Sequence, residues 1–188
     1  MQAFLISTGI VALAEMGDKT QLLALVLAAR FKKPWPIVLG IFVATVLNHA
    51  MAGALGAWVT TQISPQTLRY ILGASFIAMA VWMLIPDKLD DEADSKKPLL
   101  TAIGVFGTTT ALFFLAEMGD KTQIATVMLA ARFDAYLAVV AGTTLGMMLA
   151  NAPVVWLGER MTRPMPLRVV HVVSAAIFLG LGLWALLS

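Results

Sequence analysis

The chain has 188 residues, of which 60% are hydrophobic and only 13% charged, and its mean hydropathy is +0.86. A soluble domain of this length needs far more polar surface, so the composition points to an integral membrane protein. A formal charge of +2 argues against a nucleic-acid partner, and the absence of cysteine excludes disulfides and thiolate metal sites.

A spanning helix needs about 20 largely apolar residues. Six segments meet that requirement, roughly 3–30, 36–60, 68–86, 99–132, 135–158 and 166–187. The first lacks the basic start of a cleavable signal peptide and runs past signal-peptide length. It carries "LAEMGDKTQ" (Leu13–Gln21) near its middle and closes at "RFKKPWP" (Arg30–Pro36). The second holds Asn48 and His49 and ends at "SPQ" (Ser64–Gln66). The third leads into "PDKLDDEADSKKP" (Pro86–Pro98), eight charged residues in thirteen. That stretch lacks the glycine and terminal glutamate of a calcium loop and reads as a solvated connector. The fourth segment repeats "LAEMGDKTQ" letter for letter at Leu115–Gln123. The fifth contains "GTTLG" (Gly142–Gly146), a pattern that lets helices approach closely, then Asn151, and ends at "GERMTRPMP" (Gly158–Pro166). The sixth opens near His171, at the expected membrane edge.

A shift of 102 residues superposes the two halves without a gap, and fourteen of the nineteen residues from Leu13–Phe31 are identical in Leu115–Phe133. The same shift carries Gly40 to Gly142, Gly56 to Gly158, Phe76 to Phe178 and Trp82 to Trp184. The expected fold is therefore all-α, with six transmembrane helices in two three-helix repeats: residues 1–86, a charged cytoplasmic linker at 87–98, and residues 99–188. Because three is odd, the second repeat enters the membrane from the opposite side, the inverted-repeat architecture common among secondary transporters. Basic loops favour the cytoplasm. With both termini outside, Arg30, Lys32, Lys33, Lys88, Lys96, Lys97, Arg160, Arg163 and Arg168 face the cytoplasm, against Arg69 and Arg132 on the outer side.

The duplicated motif places acids at the middle of apolar runs. Glu15 and Asp18 are three apart and would share one face of a helix, with Lys19 one turn from Glu15. Gly17 tolerates non-helical geometry, and Thr20 and Gln21 add neutral oxygens. A helix interrupted at this point exposes backbone groups, which a membrane tolerates only inside protein or beside a watery cavity. Inverted symmetry brings Glu117 and Asp120, with Gly119, Lys121, Thr122 and Gln123, to the same depth. The expectation is one midplane metal site with ligands Glu15, Asp18, Glu117 and Asp120. The blander reading makes Glu15–Lys19 and Glu117–Lys121 buried ion pairs that glue helices. It leaves Asp18 and Asp120 over, at a cost of about 2.5–3.5 kcal/mol for each charge at the bilayer centre.

An all-oxygen donor set suits magnesium, calcium or manganese, whereas zinc and copper usually bring His or Cys. Asn48 and Asn151 add second-layer oxygens. His49, whose repeat equivalent is Asn151, is read as packing or hydrogen-bonding more readily than as a ligand. Of the eleven methionines, Met16 and Met118 lie inside the motifs, and core filling explains them better than metal binding. No resident cofactor is implied; the metal is the substrate.

Twin E-x-G-D-K-T motifs on the first and fourth spans, with an acidic central loop, resemble the Golgi calcium/manganese–proton exchanger family and its bacterial manganese exporters, within the lysine-exporter superfamily. The resemblance covers essentially the whole chain. It implies export of Mn²⁺, with Ca²⁺ as a second cation, in exchange for protons. It also implies essential roles for Glu15, Gly17, Asp18, Lys19 and Thr20 and for Glu117, Gly119, Asp120, Lys121 and Thr122. The extra N-terminal helix or targeting segment of some eukaryotic members is missing, which points to a prokaryotic plasma (inner) membrane, crossed several times. The implied partners are the divalent ion, protons and lipid, and a homo-oligomer is compatible with it. The alternatives are a cation channel, which would not couple flux to protons, and an amino-acid exporter of the same superfamily, whose substrate carboxylate an acidic site disfavours. A membrane enzyme lacks a nucleophile or His-containing metal motif beside the acids.

Overall fold

The computed structural model describes residues 1–82, 84, 101–157 and 167–187. The connector at 87–98, with Lys88, Lys96 and Lys97, lies outside the described residues. So do the loop Gly158–Pro166, with Arg160 and Arg163, and the side chains of Arg168 and His171. Among the described residues the chain is all helical. Its elements are α1 (Gln2–Glu15), α2 (Lys19–Phe31), α3 (Pro34–Gln62), α4 (Pro65–Trp82), α5 (Ala102–Glu117), α6 (Lys121–Phe133), α7 (Tyr136–Leu157) and α8 (Leu167–Leu187). Each of the two motif-bearing segments is thus a pair of helices, α1–α2 and α5–α6, and the break falls inside each motif.

Proline and left-handed residues set the helix ends. Pro34 opens α3 in its first turn, where a missing N–H costs nothing. The chain leaves α2 at Lys32 and α6 at Asp134 with φ of 53° and 45°, so repeat-related residues stop both helices in the same unusual conformation. Thr101 caps α5, its hydroxyl accepting from Gly104 N at 3.1 Å.

α3 is apolar on both faces. It buries Ile37, Ile41, Ala44 and Ala52 while exposing Leu39, Phe42, Met51, Leu55 and Trp58. A helix of that kind needs lipid on its outer side. α3 and α7 (Tyr136–Trp156) are long and apolar enough to cross a membrane, and α5 with α6 passes as a broken span bent by 71°. α1 and the Ala175–Leu187 part of α8 are apolar but shorter. The chain is a membrane protein.

The packing follows the sequence repeat in part. α1 lies on α7 as its equivalent α5 lies on α3, and α4 packs on α8, where the repeat mates Phe76 and Phe178 meet with ring centroids 6.1 Å apart. The α4–α8 pair breaks the symmetry. Its core residues Leu72, Phe76, Met79 and Phe178 cluster with Ile10 and Ala14 of α1 and Met128 and Leu129 of α6. A second cluster joins α2, α3, α5 and α7 through Leu27, Phe31, Ile37, Ile41, Val105, Phe113 and Val155.

The close approaches sit where small residues were expected to permit them. A Cβ on Gly142 would lie 2.5 Å from the Phe4 carbonyl, and one on its mate Gly40 would lie 2.9 Å from the carbonyl of Phe106, itself the mate of Phe4. Gly146 extends the α1–α7 seam, where a Cβ would lie 2.6 Å from Thr8 O.

Gly142→Leu should therefore force α1 and α7 apart and lower stability by about 1–3 kcal/mol, the usual cost of overpacking. Gly9→Ala, in open space on α1, should be neutral or stabilising by up to roughly 1 kcal/mol from helix propensity. Thermal unfolding of the two variants in detergent checks the contrast; equal melting points would show that the seam is not close-packed.

Candidate metal site

The motif is built around a helix break. α1 ends at Glu15, Met16 is extended, Gly17 has φ of 82°, and Asp18 is the N-cap of α2. The second copy repeats this in α5 and α6, with Gly119 at φ of 77° and Asp120 as N-cap. A left-handed φ carries no Cβ penalty for glycine, which is why the motif needs glycine there. Breaking a helix frees backbone N–H groups that a low-dielectric interior must satisfy. The glutamines do this. Gly17 N donates to Gln21 Oε1 at 2.9 Å, and Gly119 N donates to Gln123 Oε1 at 2.7 Å.

The acids that this arrangement presents are out of water. Glu15 and Glu117 are fully buried and Asp18 and Asp120 are 3% exposed. Thr20 donates to Glu15 Oε2 at 2.6 Å, and Thr122 donates to Glu117 Oε2 at 3.1 Å. Glu15 Oε1, Glu117 Oε1 and Asp120 Oδ2 have no hydrogen-bond partner among the described residues. Although Asp18 and Asp120 occupy N-cap positions, neither side chain caps its helix. Their carboxylates sit at helix N-termini, where negative charge is favoured.

The two motifs meet. Glu15, Asp18 and Asp120 each offer an oxygen within 4.8 Å of the others, a spacing that can hold one metal ion. Glu117, the fourth acid expected at the site, is not among the three that meet this spacing. Lys19 reaches across to the second motif, its Nζ 3.2 Å from Asp120 Oδ1. That corrects the within-motif pairing of Glu15 with Lys19, which requires an unbroken helix; the extended turn at Met16–Asp18 takes Lys19 off the Glu15 face. Lys121 is 3% exposed, whereas Lys19 is 31% exposed.

The glutamines also tie the halves together. Gln21 Nε2 donates to Ala150 O at 3.1 Å, and Gln123 Nε2 donates to Asn48 Oδ1 at 3.4 Å. Positions 48 and 150 are themselves repeat mates, so each motif is anchored at the same place on the opposite half. Asn48 closes the link by donating to Phe114 O at 3.0 Å. Asn151 donates to Met147 O and Sδ at 3.2 and 3.0 Å, and its Oδ1 has no partner among the described residues. Sequence reasoning gave Gln21 and Gln123 supporting roles beside the acids. Their oxygens hold the break, a role that i to i+4 spacing from Gly17 and Gly119 could have suggested.

Residues 3–91 and 105–188 match a family described as divalent cation/proton antiporter GDT1. A Vibrio cholerae protein named "Putative manganese exporter" is 50% identical over 184 residues, 97% of this chain and 90% of that one. "GDT1-like protein sll0615" of Synechocystis is 29% identical over 78% of each chain. "GDT1-like protein 5" of Arabidopsis thaliana is 25% identical over all of this chain and 96% of its own. No solved structure matches the chain.

Gly17→Ala and Gly119→Ala should each destabilise the protein by about 1–2 kcal/mol, because a Cβ in the left-handed region clashes with the following carbonyl. Asparagine at either position should cost less than alanine, since its side chain tolerates that conformation. Unfolding midpoints of the four variants decide this, and alanine variants as stable as the parent would contradict the break geometry.

Proposed function

Because the chain belongs to the GDT1 family of divalent cation/proton antiporters, we propose that it exports Mn²⁺ from the cytoplasm in exchange for protons, at one site shared by the two motifs. Ca²⁺ is the second cation in this reading. The carrying observation is that oxygens of Glu15, Asp18 and Asp120, drawn from both repeats, lie within 4.8 Å of one another in a buried setting. A divalent ion with six or more oxygen ligands is not satisfied by one Glu and one Asp on a single turn, and the opposite repeat supplies the rest. Glu117 completes the set when the helices around the site rearrange.

Carboxylates crowded out of water repel one another, so something cationic must sit among them. Metal and protons are then alternative occupants: loading the ion expels protons, and proton entry helps to release it. Lys19, held against Asp120, neutralises part of the charge and keeps the empty site from binding too tightly. Thr20 and Thr122 orient the two glutamates. Gly17, Gly119, Gln21 and Gln123 maintain the breaks, and Asn48 and Asn151 support the site from α3 and α7.

Alternating access follows from the inverted arrangement. We read α1–α2, α3 and α4 as three spans and α5–α6, α7 and α8 as three more in the opposite sense, with both termini outside and the charged connector 87–98 in the cytoplasm. The setting is the plasma membrane of a prokaryote, as the Vibrio relative suggests.

In proteoliposomes with an acidic lumen, Mn²⁺ should accumulate inside against its gradient as protons leave. Glu15→Gln and Glu117→Gln should each bring transport near background, and the double substitution should be scarcely worse than either single. Single variants near half activity would mean two independent sites, and uptake indifferent to the pH gradient would mean a channel.

Topology is tested on the naturally cysteine-free chain. Cysteines at Lys33 and Asp134, one residue apart in repeat register, should react with an impermeant thiol reagent from opposite sides of intact cells. Reaction of both from one side would sink the inverted arrangement.

A further inference from the structure

The two halves differ in chemistry at the mates His49 on α3 and Asn151 on α7. Both side chains are fully buried. Neither ring nitrogen of His49 has a hydrogen-bond partner among the described residues. A neutral imidazole carries one donor and one acceptor, and leaving both unmatched in a dry interior is costly. Packing alone would be served better by an apolar side chain of similar size.

The level of His49 is set by its neighbour. Asn48 is bonded to Phe114 O, one turn before Glu117 on α5, and to Gln123 of the second motif. The repeat then supplies the direction. Ala150 holds Gln21 as Asn48 holds Gln123, and the next residue, Asn151, lies beside the Glu15 carboxyl. In the same register His49 corresponds to Asn151 and Glu117 to Glu15, and Glu117 Oε1 is likewise without a partner among the described residues.

We propose that His49 is a nitrogen donor to the divalent ion carried at the twin-motif site, and that it makes the Glu117 side select transition metals over Ca²⁺ and Mg²⁺. The proposal rests on the shared-site reading above. Alkaline-earth cations take oxygen ligands, whereas imidazole nitrogen binds first-row transition metals. Asn151 offers an amide oxygen on the Glu15 side, which accepts either class. The substrate preference thus resides in one position of one repeat, and the carboxylates common to both repeats set affinity for divalent ions in general.

The full-length protein labelled with ¹⁵N-histidine and loaded with Mn²⁺ alone is examined by pulsed electron paramagnetic resonance. A ¹⁵N coupling of direct imidazole ligation is expected, lost in His49→Asn and kept in His171→Asn. In proteoliposomes His49→Asn should lower the ratio of Mn²⁺ to Ca²⁺ transport roughly tenfold, and Asn151→His should raise it. Bound Mn²⁺ without a ¹⁵N coupling, or an unchanged ratio in a transporting His49→Asn protein, would overturn the role of His49 and leave the carboxylate site standing. Failure of the parent protein to bind or move Mn²⁺ would overturn both. Should His49→Asn not fold, the labelled parent spectrum against His171→Asn still decides.

Discussion

Two helix breaks, at Gly17 and Gly119, govern the rest of this structure. A membrane interior supplies no water to satisfy loose backbone groups, so a break there has to be compensated by the protein itself. The motif carries its own compensation four residues on, where a glutamine accepts from the glycine N–H. With the backbone settled, each break turns a helix N-terminus toward the centre and leaves an N-cap aspartate whose carboxylate does not cap. An unbroken helix of the same sequence would carry the same charges with no such opening.

The second dependence is that neither motif is complete alone. Lys19 is matched by Asp120, Gln21 by the backbone of Ala150, and Gln123 by Asn48. Each contact crosses from one half of the chain to the other. Buried ion pairs are weak sources of stability once desolvation is counted, yet removing one partner is costly because it strands the other charge. The halves are therefore held in register by groups that cannot be left unmatched. In a bilayer, where apolar contact between helices gains little over contact with lipid, that is an effective way of fixing an interface.

Much of this was legible in the sequence. The all-helical membrane class followed from composition, and the repeat from an exact nine-residue duplication. The break inside the motif followed from a glycine placed among acids that no straight helix would keep at that depth. The partner of Lys19 was not legible, because one-turn spacing presumes continuous helical geometry and three non-helical residues redirect the side chain. That Glu117 falls outside the 4.8 Å set of the other three acids was equally hidden: two identical motifs cannot announce that their surroundings differ. The surroundings differ because α4 and α8 pack against α1 and α6 and not against the repeat mates of those two helices, α5 and α2, and their sequences carry no signal that says which half they will favour. Asn48 and Asn151 looked alike as amides but are one residue out of register, so one anchors a glutamine while the other attends a glutamate.

The glycine seams carry a mechanical consequence. Gly142 and Gly146 bring α7 against the backbone of α1, Gly40 brings α3 against α5, and Gly56 brings α3 against the carbonyl of Val127 on α6. Backbones in such contact have no compliant side chains between them to absorb a displacement. The close-packed pairs of this molecule are consequently mixed ones, α1 with α7, α3 with α5 and α3 with α6, each joining a helix of one half to a helix of the other. A displacement of one helix of such a pair is therefore passed directly to its partner in the other half of the duplication.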